Sequence, residues 1–128
     1  VTTYLGIDVG TSATRVVLVG DDGSILAAAS GSYETSRGAA GVVEQDPSSW
    51  CDALVHAISL MPELGAHPPA AIGLCGQTPT VVPVDERGQP TRHALTWQDG
   101  RAAHLAYAAD HAWLAEAFVR LYEATGRR

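Results

Sequence analysis

The chain has 128 residues, 46% of them hydrophobic, enough for one domain with a core and too few for two. Its net charge of -6, with no basic stripe, excludes the phosphate backbone of a nucleic acid as partner. All eight positive side chains are Arg, so a P-loop lysine or a Schiff-base lysine is excluded anywhere in the chain.

The first element organises the rest. Apolar residues from Tyr4 run into Asp8, a turn of Gly10, Thr11 and Ser12 follows, and a Val-rich run leaves it through Val19. The pattern predicts two antiparallel strands joined by a tight turn. That turn suits a phosphate. Gly10 can take a positive φ and lets a ligand approach the backbone closely. Thr11 and Ser12 offer hydroxyls, and the turn amides can converge into an anion-binding concavity. Asp8 could hold a hydrated Mg²⁺ between protein and phosphates, and Arg15 adds a fixed positive charge. On spacing alone, a plain hairpin with a polar tip explains these residues equally well.

The second strand ends at the turn signal Gly20-Asp21-Asp22-Gly23, and residues 25–33 read as a third strand. Residues 34–44 read as a Gly-rich loop. Asp46 caps a predicted helix with Pro47 at its first position. Trp50, Leu54, Ile58 and Met61 recur at helical spacing and are expected to face the core, and Pro62 and Gly65 to end the helix. His56 has no partner at ligand spacing.

Residues 70–76 form a short continuous apolar run, as expected of a buried strand after a helix. Gln77, Thr78 and Pro79 then stand just past its carboxyl end, where open α/β sheets bind ligands. A further short strand is expected over 80–84 and another extended stretch over 94–97. Gln98-Asp99-Gly100-Arg101 then leads into an Ala-rich helical tract that runs to about Ala124, with a break expected near Asp110.

Cys51 and Cys75 have neither a second Cys nor a His at ligand spacing, so they make no metal site and read as buried free thiols. The chain opens without the pattern of a signal peptide, and no apolar run could span a bilayer. No membrane association and a reducing, cytoplasmic setting are expected.

Four stretches together carry a resemblance. Asp8-Val9-Gly10-Thr11-Ser12 with Arg15 looks like the first phosphate motif of the sugar-kinase, actin and heat-shock ATPase superfamily. With Gly41-Val42-Val43-Glu44-Gln45-Asp46-Pro47, Gly73-Leu74-Cys75-Gly76-Gln77 and Thr96-Trp97-Gln98-Asp99-Gly100-Arg101, in that order, the chain resembles the amino-terminal part of the FGGY carbohydrate kinases, in particular the xylulokinase branch.

The resemblance implies an α/β, ribonuclease H-like fold: three antiparallel strands, then strands parallel to the first, with helices on both faces. It implies that residues 1–128 are part of an amino-terminal domain whose second, nucleotide-binding domain is absent. It implies Mg²⁺-dependent transfer of the ATP γ-phosphate to a hydroxyl of a sugar such as xylulose or a related pentose or polyol. Carried over by position, Thr11, Ser12 and Ala13 meet ATP phosphates, with Gly10 in the turn. Arg15 meets the nucleotide phosphate, and Asp8 sits near Mg²⁺ through water. Gln77, Thr78 and Pro79 occupy the sugar-contacting place. There the sequence departs from the Met-His common in xylulokinases and the Arg-Glu of glycerol kinases. Asp99 and Arg101 either contact sugar or fix their loop by a salt bridge.

The family's catalytic base is an Asp expected past Arg128, so no catalytic residue is assigned here. Losing a general base alone typically costs about 10²–10⁴-fold, so the isolated chain is expected to be inactive. It would also expose the face meant for its missing half and could form a homo-oligomer through it. Two rival readings remain: a non-catalytic module of the same fold that binds sugar or protein, and an actin-like or chaperone-type ATPase. The second leaves the Glu-Gln-Asp-Pro and Trp-Gln-Asp-Gly-Arg stretches unexplained.

Overall fold

The structure is a computed structural model and describes residues 1–102. The Ala-rich tract beyond Gly100 therefore lies almost wholly outside the described residues.

Strand β1 (Thr3–Val9) pairs antiparallel with β2 (Ala13–Gly20), setting Leu5 opposite Leu18, Ile7 opposite Val16 and Asp8 opposite Arg15. Side chains alternate along a strand, so Leu5, Ile7, Val16 and Leu18 share one face and are buried. Burying each of these fully is worth about 1.5–3 kcal/mol. β2 pairs antiparallel with β3 (Ile25–Ser32) across the predicted turn, where Gly23 takes a φ of 83° and donates its amide to the Gly20 carbonyl at 3.0 Å.

Helix α1 (Pro47–Ser59) starts as predicted. Asp46 accepts from the Ser48 amide at 2.9 Å, and Pro47 takes the first position. The helix lies on β2 and β3, and its approach is close. A Cβ on Gly31 of β3 would fall 2.5 Å from the Ala53 carbonyl oxygen and 2.9 Å from its Cβ. Ala53 and Ala57 are buried there, Leu54 packs against the core, and Met61 is buried just past the helix. Trp50 is half-buried, while Ile58 is exposed on the helix flank, contrary to expectation. The helix stops at Ser59, earlier than Pro62. Gly65 ends no helix and lies inside a second short one, α2 (Glu63–Ala66).

Strand β6 (Ala71–Gly76) runs parallel to β1 and completes the order β3-β2-β1-β6. The chain reaches it by way of β4 (Ser36–Arg37), β5 (Val43–Gln45) and α1. The segment 34–44, expected as a loop, thus contains ordered pairing. β4, β5 and the later β7 (Ala94–Leu95) make a small second sheet in the order β4-β5-β7. Two- and three-residue strands carry no readable periodicity, which is why the sequence shows only glycines there. The strand expected over 80–84 reduces to single bridges, Val81 to Leu95 and Val84 to Pro90.

β6 is a strand but not a buried one. All six of its residues are exposed, because it is the edge of the sheet among the described residues and α1 covers β2 and β3 instead. The buried-thiol expectation fails for the same kind of reason. Cys75 lies on this uncovered strand and Cys51 on the outer side of α1; both are free and exposed. No helix among the described residues is long and apolar enough to cross a membrane.

Candidate functional site

The turn between β1 and β2 holds Gly10, Thr11 and Ser12. The Gly10 amide donates to the Ala13 carbonyl at 3.0 Å. Contrary to the expectation from its residue type, Gly10 does not take a positive φ; what it supplies is room. A Cβ there would stand 3.2 Å from both the Ala13 carbonyl oxygen and Arg15 Nη1, and 3.6 Å from Asp8 Oδ2. The carbonyl groups of the turn are taken up by the protein. Tyr33 donates its hydroxyl to the Gly10 carbonyl, Gln45 Nε2 donates to the Thr11 carbonyl at 2.6 Å, and the Tyr33 amide donates to the Ser12 carbonyl at 3.3 Å. Burial pushes the Tyr33 hydroxyl pKa up, keeping it a proton donor. The amides of Thr11 and Ser12, by contrast, have no acceptor among the described residues. The turn thus has its acceptors engaged and two donors without a partner among the described residues, an arrangement that suits an anion.

Asp8 and Arg15 flank it on the face of the sheet away from α1, with Asp8 Oδ2 3.8 Å from Arg15 Nη1 and both side chains about half exposed. The Cys75 thiol donates to Asp8 Oδ1 at 3.4 Å, and that contact, with the nearby charge, pushes the thiol pKa up. These residues line a shallow cavity on the open sheet face, together with Gly6, Val17, Ala28 and Gly73. Asp8 therefore points to a crevice and not into the core.

Two further stretches converge on the same turn. The Gln77 amide donates to the Val9 carbonyl at 2.8 Å, extending the β1–β6 pairing one residue toward Gly10. Thr78, exposed, donates its hydroxyl to the Gly76 carbonyl at 3.3 Å and leads through a cis peptide bond to Pro79. From the other side, Trp97 donates its indole N–H to the Thr11 hydroxyl at 3.0 Å and its amide to the Thr80 hydroxyl at 3.2 Å. Trp97 is 50% exposed, so it roofs one side of the turn rather than filling the core.

Asp99 and Arg101 are a fastening. The Asp99 side chain is fully buried; its Oδ2 accepts from the Val43 amide at 2.8 Å and from Arg101 Nη2 at 2.6 Å, and its Oδ1 accepts from the Arg101 amide and Nε. The Arg101 guanidinium, followed by these amides, holds the Asp99 carboxyl well below the usual carboxylate range. Arg101 also reaches Glu44 Oε1 at 2.6 Å, which Arg92 meets at 2.7 Å, and these contacts lower the Glu44 pKa. Both Asp99 oxygens are thus engaged by the protein, while the Arg101 side chain stays partly exposed.

Sequence reasoning missed the hub. Gln45, 1% exposed, touches Thr11, Thr35, Trp50 and Gln77 through one amide. The available signal was an amide side chain between a small-sheet residue and a helix cap, in the Glu-Gln-Asp-Pro stretch.

The sequence profile of the FGGY family of carbohydrate kinases, N-terminal domain, matches residues 3–126. The chain belongs to that family. It is 32% identical over 100 residues to the xylulose kinase of Staphylococcus xylosus, an alignment that takes in 77% of this chain and 21% of that protein. Among solved structures, a xyloylose kinase from Brucella ovis superposes with a TM-score of 0.72 at 33% identity, covering 88% of this chain and 25% of the other. A gluconate kinase from Lactobacillus acidophilus gives a TM-score of 0.72 at 26% identity, covering 93% and 24%. The chain thus spans about a fifth to a quarter of the proteins it matches. The mixed sheet with its parallel β1–β6 pair is the ribonuclease H-like α/β arrangement of these FGGY kinases.

Proposed function

We propose that the FGGY protein to which this chain belongs transfers the γ-phosphate of ATP to a hydroxyl of a sugar, xylulose or a related pentose or polyol. The observation that carries this reading is the β1–β2 turn, with two amides that have no acceptor among the described residues beside a carboxylate and a guanidinium. In it, Thr11, Ser12 and Ala13 receive phosphate oxygens and Arg15 offsets their charge, an electrostatic arrangement of the kind that dominates phosphoryl-transfer catalysis. Asp8 is a lone carboxylate, and no cluster of three metal-ligating side chains exists among the described residues. That donor set fits Mg²⁺ kept hydrated and held through water. Bound there, the ion would neutralise charge on the transferring phosphate.

Gln77, Thr78 and Pro79 stand beside the turn, where a sugar hydroxyl would meet the phosphate; Thr78 supplies one hydroxyl and neither charge nor imidazole. In this reading Asp99 and Arg101 hold the Trp97 segment in place. The general base and the adenine pocket belong to a domain past Arg128.

A coupled ADP-release assay tests the proposal. The full-length protein is expected to turn over with at least one of xylulose, ribulose, gluconate and glycerol, and residues 1–128 alone with none. A full-length protein inactive on the whole panel would overturn the assignment. Turnover by the isolated chain would overturn the need for the second domain.

A further inference from the structure

A trans peptide unit is planar, and its C=O and N–H point in opposite directions. The carbonyl of Gly10 and the amide of Thr11 belong to one such unit, and the carbonyl of Thr11 and the amide of Ser12 to the next. Two side chains hold those carbonyls. Tyr33 donates its hydroxyl to the Gly10 carbonyl, and Gln45 Nε2 donates to the Thr11 carbonyl at 2.6 Å. The amide at the far end of each unit is therefore turned away from the side chain that holds it. Those two amides, of Thr11 and Ser12, are the ones with no acceptor among the described residues.

The sense of the Gln45 contact is fixed by chemistry. The Thr11 carbonyl can only accept, while the Trp50 indole N–H, 3.0 Å from Gln45 Oε1, can only donate. A flipped amide would set like groups against each other on both sides, so one orientation survives. Gln45 is buried, so solvent does not compete for it.

Resting on the sugar-kinase reading, we propose that Gln45 and Tyr33 are positioning residues for the phosphates of ATP. Neither touches the nucleotide. Each orients one peptide unit of the turn, so that the amide at its other end is presented to a phosphate oxygen. Through Trp50, Gln45 also ties the second unit to helix α1, so the aim of the Ser12 amide is set by an element that packs on the sheet.

The test measures KM for ATP and KM for the sugar separately on the full-length protein, with whichever of xylulose, ribulose, gluconate and glycerol it phosphorylates best. Tyr33→Phe removes only the hydroxyl, and Gln45→Met keeps the length of the side chain without its N–H. Each is expected to raise KM for ATP about threefold or more, with KM for the sugar changed by less than about twofold. KM does not depend on how much of the protein is folded, so partial loss of folded protein cancels. Gln45→Glu is the sharper variant. It keeps an acceptor for Trp50 and Gln77, and the Thr35 hydroxyl, which now accepts from Nε2, can reverse and donate; only the Thr11 carbonyl loses its donor. A protonated carboxyl at this position regains an O–H for that carbonyl, and burial raises its pKa. The KM of Gln45→Glu for ATP, relative to wild type, should therefore fall toward one as pH is lowered from about 8 to about 5.

An unchanged KM for ATP in both Tyr33→Phe and Gln45→Met would overturn the assignment. So would a KM for the sugar that rises as much as that for ATP, the mark of a generally loosened domain. A Gln45→Glu ratio that stays high in acid would overturn the contact between Gln45 and the turn as the cause. A wild-type protein inactive on all four compounds would instead sink the kinase reading, and this inference with it.

Discussion

Asp8 Oδ2 stands 3.8 Å from Arg15 Nη1, directly across the first antiparallel pair and on the face of the sheet away from α1. Opposite charges facing each other at the mouth of the proposed phosphate-binding turn look like a structural clamp. Their exposure argues otherwise: an ion pair this wet contributes little to stability and leaves both groups available to a ligand.

Asp8→Asn in the full-length protein is therefore expected to change the unfolding free energy by less than ~1 kcal/mol. Its kcat/KM should fall by about 100-fold or more if the carboxylate serves the hydrated cation. Urea denaturation and the coupled assay, run side by side, check this. A variant that stays as active as wild type would remove Asp8 from the site.

Asp99 gives the opposite pattern. Asp99→Ala strands the buried Val43 amide and should cost about 1–3 kcal/mol from that lost partner alone. The pH dependence follows from the depressed pKa of Asp99 in the folded chain. A carboxyl with a lowered folded pKa contributes stability that is complete above its unfolded value, near 3.9, and is lost as pH falls through the folded value. Thermal melts should therefore show the stability gap between wild type and Asp99→Asn narrowing below about pH 4. A gap that widens in acid would contradict the ion pair described above.

Gly31 is the tightest contact between the sheet and α1. A methyl group there would meet the Ala53 backbone at 2.5 Å, so Gly31→Ala has to push the helix outward. Overpacking of this kind costs about 1–3 kcal/mol. Equilibrium unfolding that leaves Gly31→Ala as stable as wild type would show that the helix yields without cost.

Ile72 and Leu74 are 63% and 72% exposed on an unpaired sheet edge among the described residues. The isolated chain is expected to self-associate through this strip, since apolar edge strands invite pairing. Light scattering at high concentration should show species heavier than a monomer, diminished by Ile72→Ser with Leu74→Ser. A clean wild-type monomer would refute it.

Local chemistry made much of this molecule legible. Asp46-Pro47 announced α1 because a cap and a fixed φ act within one turn of chain. Alternating apolar residues around Asp8 announced the hairpin because its register depends on neighbours a few residues away. Burial was harder to see. Leu74 and Cys75 read as interior residues, yet whether a strand is covered depends on which element lies over it, and that is a long-range fact. Gln45 was hidden for the same reason, because its partners stand 5 to 34 residues away in sequence and one of them is a main-chain carbonyl. At the site, the turn chemistry was visible in Gly10, Thr11 and Ser12. That Asp99 fastens its loop appeared only once the Val43 amide was seen to donate to it.

Because β1 and β6 run side by side in the same direction, Gly10 and Gln77 leave the sheet at one end, tied together by the Gln77 amide and the Val9 carbonyl. The gap between the two segments is thus a fixed gauge, set by neighbouring strands. If the proposed phosphate and sugar contacts are made at these two segments, neither can shift without carrying the other with it.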